Sequence, residues 1–166
     1  VPLIADGLTV QVGTAALLST AFALPYALVQ PPLGALADMM SKTRLMSICL
    51  VLLVVSAFVS ATAPNFTVLF ASRVLAGIAS GGIFTTSLAA AGDRFPVAQR
   101  QVAISRLLAA TMTGNLLGAS VAGVVGDLAG WRAVFVVVGS LGLVVVTVAL
   151  IGLRSTPKPP PRRPRA

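Results

Sequence analysis

The chain has 166 residues, 57% hydrophobic and 10% charged, with twelve Lys and Arg against four Asp and Glu and a formal charge of +8. About a quarter of a soluble domain is charged, so this composition excludes a surface dressed for water. With no histidine and a single cysteine, Cys49, it also excludes an intrachain disulfide, a cysteine metal set and the commonest catalytic base.

The elements follow from where the charges fall. No charge lies between Asp6 and Asp38, and charge-free stretches recur at 45–72, 74–92, 107–126 and 133–153. A helix needs roughly 20 apolar residues to cross the hydrocarbon core, where only helices and closed barrels satisfy every backbone group. The stretches are continuous and do not alternate, which predicts helices and no barrel. The expected fold class is an all-α integral membrane protein.

In chain order, 1–5 reads as the outer end of a helix that the chain enters part-way, so a fragment is expected. The first full span is 13–36. It contains Pro25, Pro31 and Pro32, expected as kinks, and the polar Tyr26 and Gln30. A basic loop follows at 38–44, then a second span at 45–62. Ala63-Pro64-Asn65-Phe66 predicts a tight turn. The third span, 67–91, carries Arg73 about two turns inside its outer border, an expensive place for a charge. Gly77 and Gly81, four apart, form one smooth stripe on it. The fourth span, 102–126, carries Asn115 with Gly114, Gly118 and Gly123; the fifth is 132–153. Residues 154–166 form a basic, proline-rich extension that cannot be helical.

Lys42, Arg44, Arg94, Arg100, Arg106, Arg154, Lys158, Arg162, Arg163 and Arg165 fall on one side of such a threading, and Arg132 on the other. The positive-inside rule then puts the loops near 38–44 and 93–101 and the tail in the cytoplasm of a cell membrane. Basic clusters between apolar runs point to lipid as partner and not to nucleic acid. Asn65-Phe66-Thr67 fits a glycosylation acceptor but sits hard against the membrane; Gly81-Gly82 lacks the Lys-Ser/Thr of a phosphate loop.

Gly34, Leu36, Asp38 and Lys42 together resemble the loop between the second and third helices of the major facilitator superfamily. Met39, Ser41 and Thr43 depart from that pattern. Arg73, Gly77 and Gly81 resemble the fourth-helix signature of the family, and Gly114, Gly118 and Gly123 its exporter motif, with Ala119 replacing the usual proline. Gly130-Trp131-Arg132 resembles the opening of the sixth helix.

The resemblance implies the first six-helix half of a twelve-helix transporter, residues 1–153, with the second half missing. It implies a conformational latch of Gly34, Asp38, Lys42, Arg44 and Asp93, and a proton-coupling role for Arg73. Tyr26, Gln30 and Asn115 are candidate cavity-lining residues. The expected function is alternating-access transport of a small molecule with protons, as efflux. Uptake of a sugar or organic acid is the alternative that Ala119 favours; a non-transporting sensor or assembly subunit is another. No enzyme, cofactor or metal is expected, since no carboxylate lies within any of the spans.

Overall fold

The computed structural model describes residues 2–154, apart from a few side chains that include those of Asp6, Asp38 and Arg94. The basic tail, with Lys158, Arg162, Arg163 and Arg165, lies outside the described residues. All regular structure among the described residues is α-helix: α1 (Pro2–Leu8), α2 (Val12–Met39), α3 (Lys42–Ala61), α4 (Phe66–Arg94), α5 (Val97–Ala129) and α6 (Trp131–Arg154). Five of them, α2 to α6, are long and apolar enough to cross a membrane.

Local chemistry sets the breaks. Asn65 caps α4 by accepting a hydrogen bond from the Val68 N–H at 3.0 Å, the usual service of an Asn before a first turn. Gly130 ends α5 at φ 80°, a backbone angle that favours glycine. It leaves a single residue between α5 and α6. The helices overrun most of the expected span borders. α5 begins at Val97 where 102 was expected, because Pro96 closes one helix and starts the next. Pro25, Pro31 and Pro32 lie within the unbroken helix α2. They interrupt its hydrogen bonds but do not divide it.

The helices pack as a bundle centred on α4. It lies against α2 and α3, α3 also lies against α6, and α5 touches α6 and, more sparsely, α4. The α2–α4 contact is made backbone to backbone. A Cβ on Gly77 would overlap the Phe22 carbonyl oxygen, and one on Gly81 would lie 2.7 Å from the Tyr26 carbonyl oxygen. Gly82 fits as closely against Cys49 of α3, whose Sγ would be 2.5 Å from an added Cβ. Small residues at such crossings let van der Waals contact replace the hydrophobic effect, which lipid does not supply between helices.

Gly34, Gly114, Gly118 and Gly123 differ from that expectation: a Cβ on any of them meets nothing within 4 Å. The reason for the three on α5 is that this helix stands apart from its neighbours. Gly126 is its one buried residue among those described.

Two apolar clusters close the bundle at opposite ends. At one, Trp131 of α6 packs with Leu18, Ala63 and Leu69, supported by Ile4, Phe66 and Phe135. At the other, Leu45 and Cys49 pack with Ala37, supported by Leu33 and Ile83.

Overpacking a tight contact costs about 1–3 kcal/mol. Gly77→Val is therefore expected to lower the melting temperature of the detergent-purified protein by several degrees. Gly92→Ala, on the same helix but with nothing within 4 Å, is expected to leave it unchanged or slightly raised, as measured by fluorescence-detected unfolding.

Candidate functional site

Three groups of residues stand out, two on opposite sides of α4 and one at its end. The first faces α2 and α5. A cavity of about 430 Å³ is lined by Phe22 and Tyr26 of α2, Leu53 of α3, Ser80, Ile83, Phe84 and Ser87 of α4, and Leu107, Thr111 and Asn115 of α5. Phe22 stacks on Tyr26 with centroids 6.1 Å apart, and Tyr26 meets Phe84 at 6.5 Å. These rings form an aromatic wall, a surface suited to flat apolar molecules.

Tyr26 and Asn115 thus share one cavity, and Gln30 is not among its lining residues. Ser80, Ser87 and Thr111 were not picked out by sequence reasoning. Their hydroxyls are common in apolar helices, and only the helix packing shows which of them face a cavity. The Ser87 hydroxyl donates to the Ile83 carbonyl at 2.7 Å and that of Thr111 to the Leu107 carbonyl at 2.9 Å. Both are satisfied within their helices and cost little at this depth. Ser87 and Leu107 also line a second, larger cavity of about 590 Å³ toward the Lys42 end, with Met46, Phe95 and Arg106. The two cavities therefore meet along the α4–α5 seam.

The second group surrounds Arg73, one turn from Gly77. Its Nη2 donates to Ser60 Oγ of α3 at 2.8 Å, and its Cζ lies 4.5 Å from the centre of the Phe135 ring of α6. Ser60 and Ser72 hydroxyls are 2.8 Å apart. Arg73 therefore faces α3 and α6 and is absent from the lining of the aromatic cavity. No carboxylate pairs with it among the described residues, and its Nε has no hydrogen-bond partner there. Close by, Arg132 donates to the Ala63 carbonyl at 3.1 Å and lies over the Trp131 ring, fastening α6 to the α3–α4 turn.

The third group is at the Lys42 end. Lys42 forms an ion pair with Asp93 and donates to the Ala89 carbonyl at 3.3 Å. Asp93 is 67% exposed, so the pair contributes little to stability. Its effect is to tie the start of α3 to the end of α4. Arg44 is exposed and makes no ion pair among the described residues. Gly34 lies on α2 near this end, and Asp38 is on the last turn of α2, its side chain outside those described. Of the expected latch residues, the described side chains bring Lys42 to Asp93. The described spans contain no cluster of residues suited to a metal.

Comparison with known proteins fits this architecture. The family model for the Major Facilitator Superfamily matches residues 1–166. The chain is 29% identical to the uncharacterised MFS-type transporter YfhI of Bacillus subtilis, over 85% of this chain and 36% of that protein. It is 30% identical to the quinolone resistance protein NorA of Staphylococcus aureus, over 81% of this chain and 34% of that protein. The chain thus spans about a third of the length of the curated relatives it matches. With five apolar membrane-length helices packed around α4, and a family model that matches from end to end, the chain belongs to the major facilitator superfamily.

Proposed function

We propose that these residues form the first half-bundle of a secondary transporter that exports a small, drug-like molecule against an inward flow of protons by alternating access. The observation that carries this reading is the aromatic-walled cavity at membrane depth between α2, α4 and α5. Such a wall, with only scattered hydroxyl and amide groups, suits a planar apolar substrate better than a sugar, which needs many hydrogen-bonding partners. A relative named for quinolone resistance supports the same substrate class. The substrate then sits near the bilayer midplane between this half and a second one.

In this reading Arg73 serves proton coupling, because a guanidinium held inside a membrane helix is retained only for a task or a partner. Lys42 and Asp93 form the working part of the latch, on the cytoplasmic side that the positive-inside rule assigns. The protein lies in the cell membrane, with lipid, substrate and protons as its partners. Gly114 and Gly118 line a cavity of about 280 Å³ between α5 and α6 and serve close approach of those two helices, whereas Gly123 lies on another face of α5.

Two outcomes are expected of the full-length protein in proteoliposomes. An imposed proton gradient drives flux of a fluorescent quinolone, outward in the sense of right-side-out cells, and Arg73→Ala reduces it at least tenfold. Flux that ignores the gradient and the substitution would refute the coupling role. Separately, cysteines placed at Tyr26 and Asn115 are expected to react with a water-soluble thiol reagent and to be protected by substrate. Uniform inaccessibility of both would favour a protein that does not transport.

A further inference from the structure

Ser60 and Ser72 are among the few buried polar residues, 0% and 3% exposed, and no transport role assigned so far uses them. Serines in apolar helices usually hydrogen-bond their own backbone. Both lie 2.7 Å from such a carbonyl, Ser60 from that of Ser56 and Ser72 from that of Leu69; with two hydroxyl protons between them, only one of these bonds forms while the serines bond each other. What distinguishes them is that they also meet each other across the α3–α4 contact, and that Ser60 receives Arg73. A hydroxyl has one proton to give and two lone pairs to accept with. Whether Ser60 donates to the Ser56 carbonyl or to Ser72, a lone pair remains for the guanidinium.

Arg73 is therefore held from two sides. Ser60, backed by Ser72, fixes its Nη2 edge, and the Phe135 ring covers its face. Both of these partners, the ones found among the described side chains, are neutral. They restrain the guanidinium without cancelling its charge, and Nε keeps a donor with no partner among the described residues. A fixed carboxylate at this point would lock the charge in place, since arginine pairs carboxylates through a rigid two-pronged contact. Hydroxyl and ring hold the group in position and leave its charge for a partner that comes and goes.

We propose that Ser60 and Ser72 are positioning residues for Arg73, fixing its guanidinium on Phe135 so that it serves an exchangeable carboxylate during transport. The inference rests on the reading of Arg73 as a coupling residue. The carboxylate is either an acidic side chain elsewhere in the full-length protein or the carboxylate of the substrate.

The test is proton-driven transport by the full-length protein in proteoliposomes with two probes, a quinolone that bears a carboxylate and ethidium, which bears none. Ser60→Ala is expected to lower turnover about tenfold with little change in KM, and Ser72→Ala to lower it less. Ser60→Thr, which keeps the hydroxyl, is expected to stay within twofold of the parent, and melting temperatures of all three to stay within a few degrees. Loss with both probes assigns the carboxylate to a side chain, and loss with the quinolone alone assigns it to the substrate. Parental turnover in Ser60→Ala and Ser72→Ala, beside an inactive Arg73→Ala, would overturn the positioning role and leave the coupling reading intact. An Arg73→Ala variant that transports like the parent would remove both. A loss in Ser60→Ala that follows thermal stability and is not restored by Ser60→Thr would mark a purely structural hydroxyl and also overturn the proposal.

Discussion

The close approach of α4 to α2 is the contact on which the other features depend. Glycine at 77, 81 and 82 lets α4 sit on the carbonyls of Phe22 and Tyr26 on one side and on Cys49 on the other. Bringing these backbones together fixes the rotation of α4 about its own axis. Once that rotation is fixed, Ser80, Phe84 and Ser87 face the cavity, and Ser72 and Arg73 face α3 and α6. Any larger residue at 77 would push α4 outward and turn both groups at once. Lipid offers no hydrophobic pressure to restore the fit, so the precision must come from shape.

The two ends of the bundle are held by different forces. At the Trp131 end, large side chains from α1, α2, α4 and α6 interlock, and Arg132 and Arg73 add hydrogen bonds and ring contacts across three helices. Among the described side chains, the Lys42 end has a smaller cluster and one ion pair, whose Asp93 is exposed. An interlocked cluster resists separation through many dispersion contacts, whereas an exposed ion pair can exchange for water at little cost. The larger of the two cavities along the α4–α5 seam lies at the Lys42 end.

α5 illustrates the difference between a helix and a packed helix. Its apolar residues Leu116, Leu117, Val124 and Leu128 are all exposed. In water such a surface would aggregate; in a membrane it meets lipid or further helices. Its backbone needs no neighbour for its hydrogen bonds, so the helix is complete even where its packing is slight.

Much of the fold was legible in the sequence because the membrane imposes a one-dimensional rule. Long uncharged runs must be helices, and Pro64, Asn65, Pro96 and Gly130 mark where they end. The fold class, the family and the number of long spans follow from residues read in order, although helix ends such as Val97 extend past the apolar run that announced them. The stripe of Gly77 and Gly81 was legible too, since spacing alone puts both on one face. What faces what was not. The glycines of α5 have the same composition signature as those of α4 but meet nothing, and Tyr26 and Asn115 share a cavity that Gln30 does not line. Ser60 and Ser72 read as ordinary small residues of apolar helices until α3 and α4 brought their hydroxyls to Arg73. The apolar runs by themselves determined that these helices form; only the rotation of each helix against its neighbours, set by side-chain fit and not by hydropathy, decided which polar groups meet.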